Sequence, residues 1–314
     1  MFKSVTVTNY RGDSLELPLT WPNDAGLLIS KIDGITPGNV QVNSQDFAIL
    51  DGGIYNSSRM QTRNITIEFY YGWAGMIPND QNHDVETARH IAYQYFPVKT
   101  QVRLDFLTEE RNLSIWGYVE GNDTDIFSEH EKGQVSIVCP DPYFYEKDTV
   151  AYTIGSVIPE FEFPFSNESL DSPLICFGDW GSRYVYDVGY NGDIEVGAII
   201  RIYFAKDPSG LTDIEIHNAD HNTVLSLNLA EIQSNTGVTF ETNGSLVIDS
   251  VRGQKDVYYE LYGKKTSIIG YFDVMNFPWM YLTPGKNQFA VLMDEQSRDD
   301  VIITIEHRGA YGGV

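Results

Sequence analysis

Hydrophobic and polar residues alternate along several segments of the first half of the chain. The clearest is Arg63–Tyr71, in which two isoleucines and a phenylalanine occupy every second position. Because successive side chains of a strand point to opposite faces, this period of two predicts a half-buried β-strand. The same pattern predicts strands around residues 2–7, 15–19, 102–107, 113–119 and 134–139. Pro18 predicts that the second of these is an edge strand, and Asp51-Gly52-Gly53 predicts a turn.

One segment of the first half shows the period of a helix instead. Between residues 84 and 96, apolar side chains recur at steps of three and four and form one stripe, Val85, Ala88, Ala92 and Tyr95. Asn82 or Asp84 is placed to cap the start, and Pro97 disfavours a further helical turn. The first half is therefore predicted to be a β-sheet or split barrel with one helix, at about residues 84–96.

The second half shows strand patterns at the spacing expected of a β-sandwich, and no helix is predicted there. The strand candidates cover residues 184–190, 198–204, 213–217, 223–229, 245–249, 257–262 and 301–307. Between the halves, a proline-flanked, acidic and phenylalanine-rich stretch has the composition of a linker. We therefore predict an N-terminal domain over residues 1–158, a linker over 159–171 and a C-terminal domain over 172–314.

Composition and charge narrow the classes of function. The chain has 314 residues, of which 42% are hydrophobic, which is enough for two packed domains. Its net charge of −23 disfavours binding to nucleic acid or to an anionic membrane, because both attract Lys and Arg. No apolar run approaches the ~18 residues of a membrane span, and no secretory leader is expected. We expect Cys139 and Cys176 to be reduced, buried thiols.

No group of residues has the spacing of a catalytic or metal site. His217 and His221 are four residues apart, but their segment is predicted as strand, turn and strand, which does not put both rings on one helical face. We therefore expect no catalytic, cofactor-binding or metal-binding residues and no cofactor. Trp180 and Trp279 are candidates for stacking against a sugar; the alternative is that they are core or interface residues.

The order of several short motifs resembles that of the distal tail proteins of long-tailed bacteriophages. The most specific motif is Cys-Pro-Asp-Pro-Tyr-Phe-Tyr, from Cys139 to Tyr145, directly after a predicted strand. The other motifs are residues 59–71, Arg89 in the middle of the helix, and residues 190–202, 246–253, 279–287 and 311–314. Together they span nearly the whole chain. The acidic connector has no counterpart in this pattern.

The resemblance implies a structural protein of a virion. In that family the first domain assembles into a ring, commonly a hexamer, around the tail channel, and the second is a galectin-like β-sandwich outside the ring. The ring joins the tail tube to the tip or baseplate, where hub, tape-measure and receptor-binding proteins attach. The resemblance therefore implies partners that include further copies of the chain, a location at the distal end of the phage tail, and assembly in the host cytoplasm.

Three hypotheses of function remain open at this point. The first is a ring adaptor without a catalytic step, in which acidic residues along the lumen would let DNA pass without sticking. The second is a carbohydrate-binding surface module that contributes to attachment to the host wall. The third is a wall-degrading enzyme, which the search for catalytic motifs supports least.

Overall fold

The computed structural model describes residues 2–19, 25–47, 49, 51–71, 85–127, 131–154, 157–158, 179–180, 185–293 and 300–314. They form two compact units. The first comprises Met1–Lys147 together with Ala310–Val314, and the second comprises Asp148–Gly309. The predicted linker at 159–171 lies outside the described residues, so the division into domains 1–158 and 172–314 stays a prediction.

Strands dominate both units. Up to Lys147 the strands are β1 (Phe2–Thr8), β2 (Ser14–Pro18), β3 (Leu27–Asp33), β4 (Val40–Asp46), β5 (Gly53–Met60), β6 (Arg63–Tyr71), β7 (Gln101–Thr108), β8 (Asn112–Asp125), β9 (Lys132–Cys139) and β10 (Phe144–Glu146). The second unit contains β11 (Val150–Ile154), β12 (Val157–Ile158), β13 (Asp179–Trp180), β14 (Val185–Tyr190), β15 (Val196–Gly197), β16 (Ile199–Phe204), β17 (Asp213–Asn218), β18 (Thr223–Asn228), β19 (Ser245–Asp249), β20 (Asp256–Leu261), β21 (Lys264–Ser267), β22 (Tyr281–Leu282), β23 (Gly285–Met293) and β24 (Val301–His307). The chain then returns to the first unit with β25 (Ala310–Tyr311). Within the described ranges, the two α-helices are α1 (Val85–Tyr95) and α2 (Leu229–Thr236).

A single sheet of nine strands organises the first unit. Seven of its strands follow the order β2-β1-β7-β8-β9-β6-β3, and β10 pairs with both β8 and β25. Along β6, Ile65, Ile67 and Phe69 are at most 1% exposed, and they share one core with the inward residues of the other strands. The alternation in the sequence therefore predicted these strands correctly, because each buries one face. β2, which contains Pro18, lies at an edge of the sheet as expected.

The predicted helix of the first half is confirmed as α1. Its apolar stripe buries Ala88 and Ala92 in the core of the sheet. On another face, Nη1 of Arg89 lies 3.4 Å from Oε2 of Glu131, at the approach to β9. The helix ends at Tyr95, two residues before Pro97.

The second unit contains two larger sheets. One has six strands in the order β11-β24-β16-β19-β20-β21, and the other has four in the order β14-β23-β17-β18. The ring of Tyr190 on β14 lies 5.3 Å from that of His307 on β24, and the hydroxyl of Tyr152 on β11 donates to the carbonyl of Gly189 at 3.0 Å. The buried faces of the two sheets therefore pack as a sandwich. The mainly β architecture is confirmed, whereas its galectin-like detail stays a prediction.

The expectation that the second half contains no helix is wrong, because α2 follows β18 directly. The side-chain oxygen of Asn228 accepts a hydrogen bond from the backbone N–H of Glu231 at 2.8 Å and caps the helix. Gly237, with φ of 69°, ends it in the left-handed conformation. The alternating leucines of β18 continue to Leu229, which hid the boundary in the hydrophobic pattern.

The thiol of Cys139 provides a test of this core. Burial raises its pKa from 9.0 to about 12, although the nearby Arg63 opposes the shift. Only the thiolate reacts quickly with alkylating agents, so we expect Cys139 to resist iodoacetamide at about pH 8.5 in the native protein. The same residue should be modified in urea, which serves as the control, and peptide mass spectrometry measures both. Equal rates in the two states would contradict this packing. Cys176 lies outside the described residues.

Candidate functional site

The first unit buries the positively charged side chain of an arginine. Arg63 is the first residue of β6, is only 5% exposed, and lies opposite Cys139 of β9. Counted back from Ile65 and Ile67 in steps of two, it falls on the inward face of the strand. Sequence reasoning did not single out Arg63, and this inward phase was the signal available to find it.

Four backbone carbonyls accept the hydrogen bonds of the Arg63 guanidinium. Its Nε donates to the carbonyl oxygen of Pro142 at 2.7 Å. Its Nη1 donates to those of Gly34 and Thr36 at 2.6 Å each, and its Nη2 donates to that of Gly312 at 2.6 Å. A planar guanidinium holds several donors in fixed directions, which the compact ammonium of Lys does not reproduce.

The positive charge of Arg63 also lies over an aromatic ring. Its Cζ is 4.7 Å from the centroid of Phe144, within the range of a cation–π interaction. Burial lowers the pKa of Arg63 below its ordinary value, but a guanidinium stays charged at neutral pH because that ordinary pKa is so high. Removing the side chain would leave four carbonyls without their donor, which costs free energy in the interior.

Three sequence motifs that lie far apart along the chain meet at Arg63. The arginine belongs to the motif at 59–71, Pro142 and Phe144 belong to the Cys-Pro-Asp-Pro-Tyr-Phe-Tyr string, and Gly312 belongs to the motif at 311–314. These motifs carried much of the resemblance described above. The structure gives them a shared physical role, because they form one hydrogen-bonded junction.

The closing segment of the chain is an integral part of the first unit. Phe144 and Tyr145 of β10 pair with Tyr311 and Ala310 of β25. The hydroxyl of Tyr311 then donates to a carboxylate oxygen of Glu146 at 2.7 Å. Residues more than 150 positions apart in sequence are thus held together by both backbone and side-chain hydrogen bonds.

The strands β4 and β5 form a hairpin outside the main sheet. Among the described strands they pair only with each other, and every residue in them is exposed except Met60, which is half-buried. The predicted turn lies at the tip, where the N–H of Phe47 donates to the carbonyl of Gly52 at 3.2 Å and Gly52 has φ of 94°. A lone two-stranded hairpin is marginally stable in water.

One face of this hairpin carries most of its apolar side chains, together with Ser44, Asp46 and Ser58. Val40 lies opposite Met60, and Ser44 lies opposite Tyr55, so these residues share a face with Val42. Val42 is 58% exposed and Tyr55 is 61% exposed, so no part of the described chain covers this face. We call it the apolar hairpin face.

The opposite face of the hairpin is mainly polar, with Ile54 as its apolar member, and it is hydrogen-bonded within itself. Nη2 of Arg59 donates to the side-chain oxygen of Gln41 at 3.2 Å, and the amide of Asn43 donates to the hydroxyl of Ser57 at 3.1 Å. A β-hairpin whose apolar side chains are concentrated on one face is the pattern of an element that packs on another surface.

Of the two tryptophans proposed to stack against a sugar, the structure describes the side chain of Trp279 alone. Trp279 is buried at 9% exposure; its ring centroid lies 4.6 Å from that of Phe277 and 5.0 Å from Nζ of Lys255. The backbone of Trp180 forms part of β13, but its side chain lies outside the described residues. Sugar stacking by these residues stays a prediction.

The paired histidines of the second unit lie on a strand and its following turn. His217 is in β17, with Nε2 3.2 Å from a carboxylate oxygen of Glu215, and His221 is in the turn. Across the ranges that the structure describes, no three His, Cys, Asp or Glu residues are grouped to hold a metal ion. In those same ranges, no helix has both the length and the apolar character of a membrane span.

Comparison with known proteins finds likeness in structure alone. No family model matches the chain, and no curated protein matches its sequence. The crystal structure of the SPP1 Dit (gp 19.1) protein, described as a paradigm of the hub adsorption apparatus in phages that infect Gram-positive bacteria, covers 98% of both chains at 13% identity with a TM-score of 0.62. A chain of the phage P2 baseplate in its activated conformation with Ca covers 98% of both chains at 11% identity with a TM-score of 0.49. This chain therefore has the fold of the SPP1 protein over nearly its full length.

The junction makes a prediction about two arginines four residues apart. Replacing the buried Arg63 with Lys should lower the free energy of unfolding by at least about 3 kcal/mol, because the ammonium cannot serve all four carbonyls. Replacing the exposed Arg59 with Lys should change it by less than about 0.5 kcal/mol. Urea denaturation followed by circular dichroism measures both. A similar decrease in the free energy of unfolding of both variants would show that the buried position does not require the planar guanidinium of Arg63.

The sugar-stacking hypothesis makes a prediction about the side chain beside Trp279. Stacking would require Lys255 to move off the ring, so Lys255→Ala should strengthen binding to host-wall oligosaccharides. Trp279→Phe should weaken it, because indole offers the larger stacking surface. Isothermal titration calorimetry with all three proteins measures the effect. Absence of binding by the wild type and by Lys255→Ala would contradict the hypothesis.

Proposed function

We propose that this chain is a structural subunit of a phage tail tip or baseplate. Copies of it close into a ring, six in the commonest arrangement of the resembled family. The ring joins the tail tube to the hub and the host-adsorption apparatus. The observation that carries the proposal is the fold shared with SPP1 Dit along 98% of both chains.

The proposal assigns partners and a location. The partners are further copies of this chain, the tail tube protein and the tail hub, with the tape measure and a receptor-binding protein as further neighbours. The protein is assembled in the host cytoplasm and resides at the distal end of the tail. It performs no catalytic step, since its work is done by surfaces that fit other subunits.

The apolar hairpin face supports self-assembly. In a closed ring each subunit meets the next through two different patches, one on each side. A projecting hairpin with an uncovered apolar face fits one of these roles, because burial of that face against a neighbour removes apolar surface from water. The hairpin is also marginal alone, so the neighbour would stabilise it.

The proposal predicts that assembly is sensitive to charge on only one face of the hairpin. Val42→Glu places a carboxylate on the apolar hairpin face, and burying an unpaired charge at an interface is costly. We expect this variant to be monomeric at concentrations where the wild type is a ring, with apparent affinity reduced at least about tenfold.

Gln41→Glu is the matched control. It adds the same charge one residue away, on the polar face beside Arg59, and should assemble as the wild type does. Size-exclusion chromatography with light scattering gives the mass, and negative-stain electron microscopy gives the shape. A wild type that stays monomeric at all concentrations would overturn the ring, and equal assembly of the two variants would remove the hairpin from its interface.

A further inference from the structure

The base of the hairpin is held at several points. Between β3 and β4, the carbonyls of Gly34 and Thr36 accept hydrogen bonds from Arg63. Across the base, the N–H of Gln61 donates to the carbonyl of Asn39 at 3.1 Å. The connection that leads into the hairpin is therefore tied to the start of β6, which itself lies in the main sheet.

The closing segment adds a second layer of contacts to the same connection. The N–H of Val314 donates to the carbonyl of Ile35 at 3.0 Å, and the Val314 side chain packs against the core of the first unit. Gly313 approaches so closely that a Cβ there would lie 3.0 Å from Cδ of Pro37 and 3.1 Å from the carbonyl oxygen of Ile35. Gly312 supplies a carbonyl to Arg63.

Beyond its base, the hairpin has little support from the rest of the unit. Its strand residues are exposed apart from the half-buried Met60, and its side-chain hydrogen bonds, such as Asn43 to Ser57 and Tyr55 to Ser58, run within the hairpin. The direction in which it projects is therefore set where residues 34–39 meet Arg63 and the closing segment.

We propose that Arg63 and Ala310–Val314 form a clamp that fixes the direction of the hairpin. Residues near the end of the sequence would thus position an assembly element near its beginning. Docking of a hairpin that is already aligned loses less conformational freedom than docking of one that swings. If loosening leaves the aligned state populated one-tenth of the time, the apparent affinity of each contact falls about tenfold.

The consequence for assembly rests on the proposed function, whereas the clamp itself is a property of one copy. Two readouts keep them apart. The direction of the hairpin is measured as the distance between spin labels at Gln45→Cys in β4 and Gln101→Cys in β7, both exposed positions. The labels are placed in a Cys176→Ser background, with an excess of unlabelled chain so that each distance lies within one copy. Assembly is measured separately by light scattering.

Gly313→Val and Gly312→Ala form the matched pair of variants. The first forces the closing segment away from Pro37, whereas a Cβ at Gly312 meets nothing within 4 Å. We expect a narrow distance distribution for the wild type and for Gly312→Ala. For Gly313→Val we expect a broad distribution and apparent ring affinity reduced about tenfold. Its circular dichroism should match that of the wild type.

A second variant keeps the test decisive if Gly313→Val fails to fold. Val314→Pro removes the N–H donated to Ile35 without adding bulk at Pro37, and it should broaden the same distribution. A distribution as narrow as that of the wild type in the folded variants overturns the clamp. If the wild type stays monomeric and the variants still broaden the distance distribution, the result supports the clamp and rejects the ring.

Discussion

The organisation of the first unit depends on one buried cation whose partners are backbone carbonyls. Arg63 is bound by segments that begin before β4, after β9 and after β24, so a single side chain closes three long loops of the chain at once. Burying a charge is costly unless its donors are satisfied. All three segments must therefore be in place for the guanidinium to be satisfied, so the hairpin base and the closing segment are tied to the sheet.

Burial of one strand face decides which strands could be predicted from the sequence. Most of the main sheet was predictable for this reason, and the hairpin was not. β6, β7, β8 and β9 each bury one face in a shared core, which imposes a period of two on the sequence. β4 and β5 are exposed on both faces within one copy, so the core imposes no such period on them. Only their turn, at Gly52, carried a local signal strong enough to read.

The junction shows the limit of reading motifs one at a time. The phase of β6 pointed Arg63 inward, but the positions of its acceptors depend on the tertiary fold, because Pro142 and Gly312 are remote from it in sequence. The cap of α2 was a different case, since Asn228 and Gly237 are local signals that the alternating leucines obscured. Distant backbone partners leave no signal in the neighbouring sequence. A helix cap does leave a local signal, in the type of residue that precedes or follows the helix.

The pairing of β10 with β25 has a consequence for how such a chain diversifies. Tyr145 and Ala310 are neighbours in one ladder, so the chain leaves the first unit and re-enters it at adjacent points. The whole second unit is in effect an insertion at the end of a hairpin, and insertions at such sites leave the host's strand order intact. The two flanking strands hold the ends of the inserted unit side by side, so a change in its length need not move any strand of the nine-stranded sheet.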